Sequence, residues 1–302
     1  MSLPAGVGKA MMIDRIPRAK VLKRALRKVR DRWMTRLFDT RFGRNLLISA
    51  VGPRVLTMTI DCGDHVMSVS PGDYIGRKVF RKGHFERDHV DRLLAVLREH
   101  GWLRRNSVLL EVGGNIGTQT VYFALSGAYR HVVTIEPDPR NFRLLAANIQ
   151  QNGLADRVTP VQCAAGDREG YLEFYPHKNN HGKSSAIRSK GSDTPISVPV
   201  KPVTQIIDEA GIGTDEIGLI WMDIEGYEPV ACRSMEPLMR GRVPLYMEFT
   251  PEFYGPSQAA EFRDYLAGFY DNCLVFSEER IAATKIADLP VSGAQFDVLF
   301  HP

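Results

Sequence analysis

Eleven consecutive residues carry the clearest chemical signal in the chain: Val108-Leu-Leu-Glu-Val-Gly-Gly-Asn-Ile-Gly-Thr118. An apolar run ends in an acid and then in a glycine-rich turn, where the backbone can approach a ligand with no Cβ in the way. Two nucleotide-binding turns fail on spacing. A dinucleotide fingerprint beginning at Gly113 needs glycine at 115 and 118, which are Asn and Thr, and a P-loop needs a terminal Gly-Lys-Ser/Thr. What remains is acid–x–Gly–x–x–x–Gly, made by Glu111, Gly113 and Gly117 with Asn115 inside the turn. A second apolar run ends in Glu136, 19 residues after Gly117, where a carboxylate can accept both hydroxyls of a ribose. Asp167, after Ala164-Ala165-Gly166, stands where an adenine amine would need an acceptor, although Gly-Asp also reads as an ordinary turn. A third set of acids, Asp223-Ile-Glu225-Gly-Tyr-Glu228 with Glu248 further on, has the residue types of a general base or a carboxylate cluster for a divalent ion. No His/Cys group has metal-ligand spacing, so a divalent metal is compatible with the chain but no metal ligand is assigned.

These residues need elements to hold them, and the pattern supplies a regular series. Strands are expected at 107–112, 131–136, 158–163, 171–175, 218–223, 243–249, 272–276 and 295–300. Helices are expected near 117–125 and at 140–150, 203–210, 228–239 and 257–267. Strands alternating with helices imply right-handed crossovers and an α/β, doubly wound, Rossmann-like, mostly parallel sheet whose last strand is antiparallel. Ahead of it, alternating runs at 54–60 and 65–70, bracketed by Gly63 and Pro71-Gly-Asp73, predict a β-hairpin. A helix follows at 89–100. The polar stretch 177–194 interrupts the series and reads as a lid, a binding loop or a disordered segment.

The first 44 residues differ from the rest in charge. They hold 13 Lys/Arg and three acids, whereas the remainder holds 26 basic and 32 acidic residues. Val21, Ala25, Val29, Trp33 and Leu37 recur every fourth residue, so a basic amphipathic helix precedes the hairpin. The expected domains are therefore a helical leader, 1–50, and a catalytic body, 51–302, with its hairpin lead-in at 51–75. A charge content of 25% and four scattered cysteines fit an ordinary globular protein with reduced thiols. No run approaches the roughly 18–20 apolar residues of a membrane span, and no secretory signal is recognisable.

The order of the motifs resembles the FkbM family of S-adenosylmethionine-dependent O-methyltransferases. The matching pieces are Ile75-Gly76, Gly83-His-Phe-Glu86, Glu111-Val-Gly-Gly-Asn-Ile-Gly117, Ile135-Glu-Pro-Asp-Pro-Arg-Asn-Phe142 with Asn148, and Ala165-Gly166-Asp167, followed by Ser184-Ser185, Met222-Asp-Ile-Glu-Gly-Tyr-Glu228 and Met247-Glu248. They span about residues 75–250. Glu111 and Gly114 depart from the family's usual Asp and Ala. The resemblance implies S-adenosylmethionine as cofactor, S-adenosylhomocysteine as product, and a hydroxyl of a sugar, glycan precursor or secondary metabolite as acceptor. The implied cofactor-binding residues are Glu86, Glu111, Gly113, Asn115, Gly117, Glu136, Asp167 and Asp223, with Asp223 the base and Glu225 assisting. A bulky side chain at Gly113 is expected to block the cofactor and spare the fold. Alternatively, the acids at 223–228 only cap a helix and tie loops. His84, His177 and His181 are further candidate bases, or simply solvated loop residues.

Two rival activities stand beside this reading, one of them, like the question of location, raised by the basic leader. A nucleic-acid methyltransferase lacks support, because no Asn/Asp-Pro-Pro-Tyr motif or aromatic–arginine sheet face is present, and no nucleic-acid partner is expected. A non-catalytic scaffold that keeps the fold is the other rival. The expected location is cytoplasmic, with residues 15–44 able to lie against the inner, anionic face of a membrane. The plainer reading packs the stripe on the body or on a second copy of the chain.

Overall fold

The computed structural model describes residues 18–302 except Pro53 and Glu278, and leaves out the side chains of residues 18–22, 24 and 25. The chain divides into two units between Ala50 and Val51.

The first unit contains α1 (Arg18–Phe38) and α2 (Arg41–Val51). The leader helix therefore runs as its spacing predicts, and Thr40, whose hydroxyl accepts from the Gly43 amide at 3.1 Å, starts α2 as its cap. Val21, Leu22 and Ala25 of the stripe have side chains outside the described residues. Of the others, Leu26, Val29, Trp33, Met34 and Leu37 are all exposed, Trp33 by 71%. Among the described residues, no helix is long and apolar enough to cross a membrane.

The second unit begins with the hairpin β1 (Met58–Asp61) and β2 (Val66–Val69), paired antiparallel. Then come α3 (Tyr74–Lys82) and α4 (Arg87–Glu99). The alternating series is β3 (Val108–Val112), α5 (Thr118–Ser126), β4 (His131–Ile135), α6 (Pro139–Gln151), β5 (Val158–Val161), β6 (Ala164–Gly166), β7 (Gly170–Phe174), β8 (Ile196–Pro202) and α7 (Val203–Glu209). It continues through β9 (Ile217–Met222), α8 (Glu228–Arg233), α9 (Glu236–Arg240), β10 (Leu245–Phe249), α10 (Pro251–Tyr254), α11 (Pro256–Ala267), β11 (Asn272–Phe276), β12 (Ile281–Lys285) and β13 (Phe296–Phe300).

The main sheet has the order β12-β11-β13-β10-β9-β3-β4-β5. β5, β4, β3, β9 and β10 run parallel, and β13 inserts antiparallel between β10 and β11. The doubly wound Rossmann-like class is thus as expected, with β12 added as an antiparallel edge. β3 is buried at every residue, as a strand covered on both faces must be. Its alternation sends Val108, Leu110 and Val112 into one apolar layer and Leu109 into the other. The chain leaves β3 towards β4 on one side and returns through β9 on the other. The crevice at the carboxyl ends of β3 and β9 is the point where such sheets bind ligands.

Three details differ from the sequence expectation. The strand at 171–175 belongs to a separate three-stranded sheet, β6-β8-β7, and not to the main one. The helix expected over 228–239 is broken into α8 and α9, because Pro237 has no amide to donate at that point. α3 was not expected, because it is only nine residues long, although Ile75, Gly76 and Val79 bury one face of it. It forms because Asp73 caps it, accepting from the Ile75 amide at 3.0 Å and the Gly76 amide at 3.3 Å.

Candidate active site

The crevice opens into a cavity of about 580 Å³ lined by the glycine turn, the end of β4, the 177–194 segment and Asp223. The turn is held from several directions. Both the Gly113 and Gly114 amides donate to the Ile135 carbonyl at 2.9 Å. Asn148 of α6 donates to the Ile116 carbonyl at 2.7 Å while accepting from the Ser68 amide, so one buried side chain ties the turn to β2. Gly113 has φ +96, and a Cβ there would overlap the Asp223 carbonyl oxygen. That close approach requires glycine, and it corrects the expectation for a larger residue at Gly113: β9's end must move before any ligand is affected. Gly114 is likewise fixed by its surroundings, since a Cβ would overlap the Thr134 hydroxyl. Gly117, at φ +87, starts α5.

Glu136 lies in the cavity wall, buried, with both oxygens engaged. Oε2 accepts from the Asn115 amide and Oε1 from the Asp138 amide, each at 2.8 Å. Burial pushes its carboxyl up to about 8. Asn115 lines the same cavity at φ +48, and its buried Oδ1 has no hydrogen-bond partner. The 177–194 segment forms the lid side: His181, Gly182, Ser184 and Ala186 line the cavity. It is anchored by the His181 amide donating to Asp73 Oδ1 at 2.7 Å and by the Ser185 hydroxyl donating to the Glu225 carbonyl at 2.7 Å. His177 instead accepts from the Asn180 amide at 3.1 Å and shapes the segment.

Three expected cofactor residues are placed elsewhere. Glu111 is buried on the face of β3 opposite to Val112, because strand side chains alternate. Val112 lines the cavity and Glu111 does not. Its carboxylate accepts from the Thr120 hydroxyl, its Oε1 has no partner, and burial pushes it up to about 7. Asp167 is exposed, 3.7 Å from Arg168, and is absent from the lining that Ala164, Ala165 and Tyr227 supply. Glu86 accepts from Gln119 Nε2 at 3.0 Å and lines a different cleft.

The third group of acids separates by role. Glu228 is the structural one: Oε1 accepts from the Ile224 and Gly226 amides at 3.2 Å, and Oε2 from the Tyr254 hydroxyl at 2.6 Å. Asp223 and Glu225 are different. β9 stops at Met222, and the chain turns sharply through Glu225 at φ +52, so strand alternation is not what brings the two together. Asp223, Glu225 and Glu248 nevertheless each bring one carboxylate oxygen within 4.8 Å of the others, a spacing able to hold a metal ion. Asp223 Oδ1 is buried without a partner. Burial and the charges of Glu248 and Glu225 raise Asp223 well above the usual carboxylate range. Glu225 is pushed up to about 7 and Glu248 to about 8, each chiefly by burial. Glu248 also faces Asp297 directly across the β10–β13 pair, a like-charge juxtaposition.

Sequence reasoning missed Asp297, Tyr246 and His89, which surround this cluster. Asp223 lines the cavity described above and also a small pocket shared with Glu86, His89, Tyr246, Glu248 and Asp297. That pocket continues into an open cleft of about 1940 Å³ between α3–α4 and the last strands.

Residues 111–273 match the family model "Methyltransferase FkbM domain", more than half of the chain. The chain belongs to the FkbM methyltransferase family. Among curated relatives it is 30% identical over 163 residues to "2-O-methyltransferase NoeI" of Sinorhizobium fredii, covering 48% of this chain and 64% of that one. It is 28% identical over 130 residues to "Ribosomal protein L11 methyltransferase" of a Geobacter species, covering 43% and 40%. The match thus spans less than two thirds of each relative's length. Among solved structures, methyltransferase FkbM from Methylobacillus flagellatus KT aligns with TM-score 0.45 and 17% identity over 74% of this chain and 52% of that one.

Proposed function

We propose that the chain is an S-adenosylmethionine-dependent O-methyltransferase acting on a hydroxyl of a sugar, glycan precursor or secondary metabolite. One observation carries the reading: Asp223, with an unpartnered carboxylate oxygen, is shared by the cavity at the sheet's switch point and by the pocket leading to the second cleft. The similarity to NoeI, a 2-O-methyltransferase, supports oxygen as the methylated atom.

The residues of the first cavity fit the cofactor's polar groups. Glu136, already oriented by two backbone amides, has lone pairs left for a ribose diol, and Asn115 Oδ1 offers an unused acceptor. When bound, S-adenosylmethionine supplies an electrophilic methyl group on a sulfonium. Asp223 accepts the proton of the acceptor hydroxyl and orients its oxygen, and burial with the neighbouring acids makes its ionised form a stronger base than an ordinary carboxylate. Glu225 and Glu248 keep that affinity high, and the 177–194 segment excludes water from the cavity. Incubation with methyl-labelled S-adenosylmethionine and a panel of sugar and polyketide hydroxyl acceptors tests the reading. Label on an acceptor oxygen, undiminished by EDTA, supports an acid-only base. Loss with EDTA assigns the three carboxylates to a metal, and the absence of any cofactor binding favours the scaffold alternative.

We further propose that the leader rests on an anionic membrane surface. Leu26, Val29, Trp33, Met34 and Leu37 are exposed together on a helix that carries Lys23, Arg27, Lys28, Arg32 and Arg36. Each cation near such a surface contributes up to about 1 kcal/mol, weakened by salt. The full chain should co-sediment with anionic vesicles at low salt, and the Trp33→Glu/Leu37→Glu variant should not. Equal sedimentation of both would remove the membrane role.

A further inference from the structure

The open cleft beyond Asp223 is mixed in chemistry along its length. Its inner end, next to the carboxylate cluster, has the Tyr246 ring beside Glu86 and Asp297. Its lining also includes Tyr74, Lys78 and Lys82 of α3, His84, Arg92 and Phe276. Acids and bases inside the cleft are mostly matched. His89 Nδ1 stands 3.7 Å from Asp297 Oδ2, Gln119 holds Glu86, and Arg92 donates to the Ser277 carbonyl at 2.7 Å with its guanidinium over the Phe276 ring. The two lysines are not matched. Among the described residues neither lies within ion-pair distance of an acid, although the field of Lys78 reaches Glu86. Lys78 is half-buried, its ammonium 4.9 Å from the Tyr74 ring centroid. Lys78 and Lys82 are one helical turn apart, where like charges repel by a few tenths of a kcal/mol. Asp88 also lines the cleft, but it starts α4 and makes no pair with them.

An unneutralised lysine pair on a cleft wall whose inner end is acid and aromatic separates the cleft into an anion-binding part and a hydroxyl-binding part. Carboxylates accept several sugar hydroxyls, an aromatic ring covers an apolar sugar face, and lysine ammonium groups bind phosphate as point charges. We propose that Lys78 and Lys82 form an anion subsite for a phosphate carried by the acceptor, which is then a phosphorylated sugar whose free hydroxyl faces Asp223. The proposal rests on the O-methyltransferase reading only for the hydroxyl end.

The test reads binding, not turnover, on the full chain. Calorimetry is run with inorganic pyrophosphate, free hexoses, hexose 1-phosphates, a nucleotide-linked hexose and a hexose on a short-chain prenyl phosphate. Phosphorylated hexoses should bind at least about tenfold tighter than the free sugars, as a charge-assisted contact implies. Lys78→Ala/Lys82→Ala should erase the difference, and Lys78→Arg/Lys82→Arg should keep it. The tighter of the two linked hexoses names the source of the phosphate. Equal affinity for phosphorylated and free sugars, or a preference unchanged in the alanine pair, overturns the subsite. Pyrophosphate held through the lysines without any hexose binding supports the subsite and overturns the sugar acceptor.

Discussion

The two sides of Asp223 are built on opposite principles. Towards the glycine turn the backbone is committed: Glu136 holds two amides, Asn148 spans two elements, and Gly113 and Gly114 give their amides to one carbonyl. Asn115 Oδ1, Asn141 Oδ1 and His181 Nδ1 are left buried without a hydrogen-bond partner, for a ligand to meet. Towards the second cleft, carboxylates are crowded against one another: Glu248 accepts from Thr250 and Gln295, and Asp223 Oδ1 has no partner. Burial, to which the charge of neighbouring acids adds, raises Asp223, Glu225 and Glu248, whereas burial is the main cause for Glu136. A fixed backbone frame shapes a cavity for one ligand, whereas a crowd of like charges stores proton affinity for a reaction.

The largest expected effect breaks the committed side. Gly113→Val forces a side chain into the Asp223 carbonyl from a left-handed backbone position and should cost on the order of 5 kcal/mol of stability. Chemical denaturation with a wild-type midpoint would contradict the close approach. Next comes the reactive side. Asp223→Asn should slow methyl transfer by about 10²–10⁴, and should remove the part of the pH–rate profile in which activity rises as the acid ionises. Full activity with an unchanged profile would make Asp223 structural.

The smallest effect sharpens the electrostatic contrast. Glu225 and Glu248 bind protons more tightly folded than unfolded, so their contribution to stability is complete below the ordinary carboxylate pKa. It is lost as pH rises through about 7 and 8. Glu248→Gln should therefore flatten the decline in Tm between pH 5 and 8.5 by a few degrees. An identical slope in both proteins would mean that the cluster does not hold its protons.

The same contrast explains what was legible in the sequence. The glycine-turn side is local: Glu111 to Gly117 and Glu136 lie at consecutive strand ends, so spacing alone found the turn and the carboxylate in the cavity wall. Strand alternation, which turns Glu111 to the far face, and the exposure of Asp167 required the register and the packing. On the reactive side Asp223 and Glu225 were visible as a motif. Glu248, too, was legible as a candidate member of the cluster, but Asp297 comes from β13, and only the antiparallel insertion of that strand brings it opposite Glu248. The α3 wall with Lys78 and Lys82 was missed because that helix is nine residues long, so its Asp73 cap and its face of Ile75, Gly76 and Val79 span only about two turns of sequence.

The most direct test of the division at Asp223 is calorimetric titration of S-adenosylhomocysteine into the wild type, Glu136→Ala and Asp223→Asn. Wild type should bind, Glu136→Ala should bind weaker by about 1.5–3 kcal/mol through loss of two hydrogen bonds from the ribose hydroxyls, and Asp223→Asn should bind nearly as wild type. Unchanged affinity in Glu136→Ala, or a loss in Asp223→Asn as large as that in Glu136→Ala, would contradict the account.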